Sequence, residues 1–355
     1  MNDHHTVFAR RHFLSLVASL TALQTLPTLA QSTEHSKTKI ATPDAIVKKS
    51  SPMDIRTMVQ DPLLVNSFWK LVPFGGYAEN GAASQNIEGF KFIEHQRQGV
   101  EWISAGVARQ MPDWVARGWK IIDYGFQQQT DDGGFPGTDV PHSASLFLEA
   151  AARACLIDPQ GATDKRLASL KKGANWLRSP LVDVKKRKHS AIFTHRRYVM
   201  AACLGQTGQL IADADMQEMA EAWIEEGLSM QRPDGVNPER GGFDSSYQMV
   251  GVLFVERYFP TCRSDALKKR LAAAMERAVA VTLMRQQKDG SIDVSDSTRV
   301  GSELTRAGKV KGFNYPEGVQ TLVFGSLLFG RQDWRQPAEL MVKLNGWDVV
   351  KPAKG

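Results

Sequence analysis

The sequence predicts an all-α protein, an α/α toroid made of helical hairpins that repeat about every fifty residues. Three observations carry that prediction. The pattern Gln-x-x-Asp-Gly occurs at Gln129–Gly133, Gln231–Gly235 and Gln286–Gly290, with gaps of 102 and 55 residues, close to two periods and one. Beyond Asp61 no stretch alternates as a half-buried strand does, whereas apolar residues recur at helical spacing between loops rich in Gly, Pro and Asp. A chain of 355 residues with 42% hydrophobic and 23% charged residues is sufficient for one large core.

At the N-terminus, Ala9-Arg10-Arg11-His12-Phe13-Leu14-Ser15 resembles a twin-arginine export signal. An apolar stretch to Leu26 and the small Ala30 before Gln31 complete the pattern of a cleavable segment. Residues 1–30 are therefore expected to be a signal peptide handled by the twin-arginine export machinery, and the mature protein to be periplasmic or secreted. No other stretch approaches the roughly 20 apolar residues that cross a bilayer. The polar, Lys/Ser/Thr-rich residues 31–55 read as a linker, and residues 56–355 as the toroid.

Within the toroid the hairpins follow in order. A faint first unit has a loop near Gly75–Gly81 and helical residues over Ile87–Val107. Helix Trp114–Gln129 runs into the first repeat loop, and its partner begins near His142. Lys165–Leu177 pairs, across a loop with the basic run Lys185–Lys188, with a helix from His195; this unit lacks the motif. Met216–Gln231 leads through the second loop to Ser245–Tyr258, and Ser264–Gln286 through the third to Tyr315–Phe329. In each loop Gly is suited to a left-handed turn and Asp to capping nearby backbone. The motif is thus structural, and its value is positional.

The formal net charge is +6 with a pI near 9.1, which favours an acidic partner. No nucleic-acid motif is present. Cys155, Cys203 and Cys262 lie in or beside apolar helical stretches and make no disulfide framework.

The second helix of each hairpin starts at one end of the ring, and those starts carry His142, His195, Tyr247 and Tyr315. Free N–H groups at helix starts suit anions. Around them lie Arg197, Asn237, Arg240 and Asp244. The long loop from Asp289 to Asn314 adds Arg299, Glu303, Arg306, Lys309 and Lys311, with Asn314 at its end. Ser245 and Ser246 read as helix N-caps.

This inventory suits β-elimination on a uronate-containing polymer. The reaction needs cations or amides to neutralise the sugar carboxylate, a base for the C5 proton and an acid for the leaving oxygen. It needs no cofactor or metal, and His142, His189 and His195 lack the i, i+4 spacing of a helix-borne zinc pair. His195, Tyr247 and Arg240 are the catalytic candidates. Substrate-binding candidates are His142, Asn237, Arg197, Asp244, Arg299, Arg306, Lys311, Asn314 and Tyr315.

The helical repeats resemble those of α/α-toroid proteins, which include squalene-type cyclases, prenyltransferases and polysaccharide-degrading families. His195 precedes Tyr247 by 52 residues, Arg240 precedes Tyr247 by seven, and Thr194-His195-Arg196-Arg197-Tyr198 keeps a His-x-x-Tyr segment. In these features the chain resembles the toroid polysaccharide lyases of the alginate-lyase and heparinase type. The resemblance implies a catalytic His, Tyr and Arg at His195, Tyr247 and Arg240, and an acidic polysaccharide as substrate. Thr194 departs from the amide those lyases carry there; Asn175, Asn237 or Asn314 are the amides available instead.

Two alternatives stay open. A glycoside hydrolase on the same ring would need a carboxyl pair from Asp132, Asp139, Glu239, Asp244, Glu303 and Glu317. A non-catalytic carbohydrate-binding ring would use tryptophans such as Trp69, Trp102, Trp114, Trp119, Trp176 and Trp223. A terpene-type cyclase is disfavoured by the lack of an Asp-x-Asp-Asp-type motif.

Overall fold

The computed structural model describes residues 53–71, 76–137, 140–180, 182–183, 188, 190–305 and 308–348, with only the backbone of Lys70, Leu71 and Val140. They belong to the unit Ala41–Gly355. The signal-like residues 1–30, nearly all of the linker, Asp139, Lys185, His189 and Arg306 lie outside the described residues.

The described residues are all-helical. Two short helices, α1 (Ile55–Val59) and α2 (Pro62–Asn66), precede α3 (Gln98–Ala108), α4 (Pro112–Gln127), α5 (Val140–Ile157) and α6 (Asp164–Leu177). Then come α7 (Thr194–Leu210), α8 (Ala214–Met230), α9 (Ser245–Tyr258), α10 (Asp265–Leu283), α11 (Tyr315–Leu328) and α12 (Arg335–Leu344). Strand-like pairing among the described residues is confined to isolated bridges in loops.

Two kinds of helix alternate. In α7 every residue from Thr194 to Gly208 is buried, and α9 buries all its residues but Tyr247. A helix apolar or buried all round belongs inside. In α8, by contrast, the buried positions are Met216, Ala220, Trp223, Ile224 and Gly227, one stripe at helical spacing. The largely buried α3, α5, α7, α9 and α11 touch in sequence order, with α1 and α2 against α11 and α1 also against α3 and α5. Arg335 at the start of α12 pairs with buried Asp61 at 2.9 Å, joining the two ends of the described chain.

Helix starts are set by side-chain caps. Thr163, Asp213, Asp244, Ser264 and Asn314 each accept the backbone N–H of the third residue on. Each such cap is worth about 1 kcal/mol. Ser245 and Ser246 are not caps, contrary to the sequence expectation: Asp244 holds that position, and Ser246 Oγ accepts from the Asn314 N–H.

The Gln-x-x-Asp-Gly loops do the same job three times. Gln129, Gln231 and Gln286 donate through Nε2 to the carbonyls of Ser169, Ala274 and Pro337 on the next outer helix. Asp132, Asp234 and Asp289 each accept the N–H two residues on. Gly133, Gly235 and Gly290 have φ near +90°, and a Cβ there would meet a backbone carbonyl at 2.5–2.6 Å. The faint first unit contains a fourth copy in disguise. Gly81 has φ +94° against the Lys120 carbonyl, Asn80 accepts from Ala82, and Gln96 supplies the amide from elsewhere.

Between the inner helices lies a buried charge cluster. Arg153 bonds Glu149 at 2.9 Å and reaches Glu101 at 3.5 Å, while Arg257 lies 3.7 Å from Glu149. Burial pushes the Glu149 carboxyl upward, but Arg153 and Arg257 outweigh it and hold it below the usual range. The three cysteines are buried thiols.

Candidate active site

The starts of α5, α7 and α9 and the loop before α11 surround a cavity of about 660 Å³. Its wall includes His95, His142, His195, Arg196, Tyr247, Arg299 and Lys311, with Glu94 and Glu317 as the acidic members.

His195 is the centre. Its backbone N–H and its Nδ1 both face Glu239 Oε1, at 2.9 and 2.8 Å. A carboxyl oxygen that accepts both favours the Nδ1–H tautomer, leaving Nε2, on the far side of the ring from Glu239, with its lone pair. The Tyr247 ring lies 4.5 Å from the His195 ring, tilted by 39°, and His142 meets His195 edge-on at 5.7 Å. These side chains converge because three inner helices begin at one level, with Asp244 fixing the first turn of α9.

The cationic side is built by the loop between α10 and α11. Arg299 stands 3.8 Å over the Tyr247 ring centroid, within reach of a cation–π contact, and Lys311 lies 5.6 Å from it. Glu303 orders both, bonding Arg299 Nε at 3.0 Å and Lys311 at 2.5 Å. Partial burial pushes Glu303 upward, but Lys311 and Arg299 prevail and hold it below the usual carboxylate range. Glu239 behaves oppositely. Burial pushes its carboxyl up to about 8, against the His195 N–H and Arg299, with Asp244 adding to the rise.

The site residues expected from sequence divide clearly. His142, His195, Tyr247, Arg299, Lys311 and Asn314 line the cavity. Asn314 also caps α11 and bonds Glu317. Arg240 does not line it: half exposed, it pairs with Glu303 at 2.7 Å from behind. Its φ of +54° and its N–H bond to the Ile192 carbonyl make it the corner of a turn.

Four expectations point elsewhere. Arg197 turns away, bonding the Ser190 and Phe193 carbonyls and Glu226 of α8. The Asp244 carboxylate is fully used within the protein. One oxygen takes the Tyr247 N–H, and the other takes Ser297 Oγ and the N–H groups of Arg299 and Val300. Tyr315 is occupied under the third repeat loop, its hydroxyl accepting from the Ile292 N–H. Asn237 is buried beside Gln248 and is not part of the cavity wall. Arg306 lies outside the described residues.

Sequence reasoning named Glu239 only as a hydrolase carboxylate, missing its bond to His195. It also missed His95 and Arg196. His95 was findable, because it precedes α3 as His142 opens α5, in the unit whose motif is disguised. Among the described residues no group of His, Cys, Asp and Glu is arranged to hold a metal ion, and no helix is long and apolar enough to cross a membrane. Comparison with protein-family models, with curated proteins and with solved structures finds no match to this chain.

Proposed function

We propose that the helical hairpins close into an α/α toroid and that the cavity at its rim cleaves an acidic, uronate-containing polysaccharide by β-elimination. The observation that carries this reading is the stack of His195, Tyr247 and Arg299 on one cavity wall, with Glu239 behind the histidine.

In this reading Arg196 and His142 neutralise the sugar carboxylate, which makes the C5 proton acidic. His195 Nε2 takes that proton. The electron pair forms the C4–C5 double bond, the C4–O bond breaks, and the leaving oxygen receives the Tyr247 hydroxyl proton. Glu239, bonded to Nδ1, holds the imidazole in its tautomer and orientation, as the acid behind a catalytic histidine does. Arg299 and Lys311 stabilise the phenolate. Proton return from His195 to Tyr247 resets the site. Arg240 acts on this machinery only through Glu303. The twin-arginine-like N-terminus supports export to where such polymers are met.

A second reading, glycoside hydrolysis, draws on Glu94 and Glu317, two carboxylates on the same wall. The test is incubation with a panel of acidic polysaccharides, following ultraviolet absorbance of the unsaturated uronate together with new reducing ends. Both signals rising together support elimination. Reducing ends without the absorbance transfer the site to hydrolysis, and polymer binding with neither signal makes the ring a carbohydrate-binding scaffold.

A further inference from the structure

A second cavity of about 260 Å³ adjoins the first, sharing Glu94, His95, Leu146, Phe254, Asn314 and Glu317 with it. It reaches inward to Glu149, Arg153, Arg257 and Gln320, all at most 4% exposed. Nothing in the elimination chemistry uses it.

Its polar groups differ in kind from those of the outer cavity. Arg153 and Arg257 are matched against Glu149 and Glu101, so the inner end offers no surplus positive charge. Three of the residues that line it each carry a buried side-chain atom with no protein partner: Gln98 Oε1, Glu101 Oε2 and Arg257 Nε. Buried polar atoms are nearly always paired in native proteins, and leaving one unpaired is costly. Two of these three are acceptors and one is a donor. A carboxylate or sulfate can only accept, so it would meet Glu101 and Gln98 with like polarity. A hydroxyl both donates and accepts. Phe68 and Phe254 add apolar surface to the same wall, the mixture typical of small-ligand pockets.

We infer that the inner cavity binds an uncharged, hydroxyl-rich sugar residue adjoining the anionic residue held at His195 and Tyr247. The inference rests on the elimination reading for its neighbour only. It makes the preferred substrate a polymer in which uronate stands next to a neutral sugar, rather than a homopolyuronate.

The test separates pocket from chemistry. Binding of methyl glucoside, methyl galactoside and methyl mannoside to the full chain is measured by saturation-transfer NMR, with methyl glucuronide as the charged comparison. At least one neutral glycoside is expected to bind, about tenfold more weakly to Gln98→Leu. Gln98→Glu, which retains an acceptor, restores binding to within about threefold. Thermal unfolding verifies that both variants fold. If no neutral glycoside binds, if Gln98→Leu binds it as well as the parent, or if Gln98→Leu weakens methyl glucuronide as much as the neutral glycosides, the inference is overturned, whatever the elimination assay gives. Gln98-dependent glycoside binding without elimination on any polymer upholds the pocket and removes the lyase reading instead.

Discussion

Arg299 holds its guanidinium 3.8 Å over the ring of Tyr247, across 52 residues of sequence. Arg240, seven residues before that tyrosine, turns instead to Glu303. The two arginines therefore separate in their expected effects. Arg299→Ala should lower kcat/KM for polymer elimination about a hundredfold, the scale for removing one charge-stabilising donor. Arg240→Ala removes a half-exposed pair and should change it by no more than about threefold. Steady-state kinetics on the two variants decide the point, and a larger loss for Arg240→Ala would reverse the assignment.

Tyr247→Phe keeps the ring against His195 and Arg299 and removes only the hydroxyl. Product formation should fall about a thousandfold, within the range for losing a general acid, while the thermal midpoint stays that of the parent. Undiminished turnover would take Tyr247 out of the chemistry.

The Glu239 carboxyl, raised to about 8 from an ordinary 4.5, sets a pH-dependent stability. Between those values the unfolded chain has released this proton and the folded chain retains it. The unfolded state then binds fewer protons, so Glu239 costs stability as pH rises from about 4.5 to about 8. Glu239→Gln has no proton to lose and should lack that slope. Urea unfolding of both proteins at about pH 5 and pH 8 should differ in slope by an amount on the order of a few kcal/mol. Glu256, which burial pushes far above the usual range while Arg257 pulls it back, adds a slope of the same sign to both proteins and cancels in the comparison.

Two glycines of similar backbone separate strain from collision. Gly235 has φ +89° and a Cβ there would lie 2.6 Å from the Arg277 carbonyl; Gly241 has φ +83° with nothing within 4 Å. Gly241→Ala should cost about 1 kcal/mol for the left-handed backbone alone. Gly235→Ala should cost at least about 2 kcal/mol, because the next outer helix must also move. Denaturant titration measures both, and equal losses would mean that the loop yields freely.

Much of the helical order was legible because it depends on local rules. The repeat glycines mark left-handed turns, and the outer helices show their stripes directly. The Asp244 cap was also written locally, as an acid three residues before Tyr247, and was misread as a ligand because an acidic loop near a rim suggests chemistry. Arg197 was misread through helix geometry. Two residues past His195 the direction has turned by about 200°, so its side chain faces α8 rather than the cavity. Glu239 and Arg299 were not legible as partners of His195 and Tyr247. They are loop residues 44 and 52 positions away, and loop register carries no period to count by. The disguised first repeat escaped because Gln96 supplies its amide from outside the motif.

The buried thiols give this molecule an internal record of its own opening. Cys155 is pushed up to about 12 by burial, Cys262 is raised for the same reason, and Cys203 lies within α7 with no exposed surface. Since the thiolate is the reactive form, an alkylating reagent can modify these residues only when the helices part. Cys155 and Cys203 sit on neighbouring inner helices that also begin at the cavity, whereas Cys262 follows α9. Labelling rates at the three positions would therefore resolve whether the inner helices separate one by one or all together, without any probe having to be introduced.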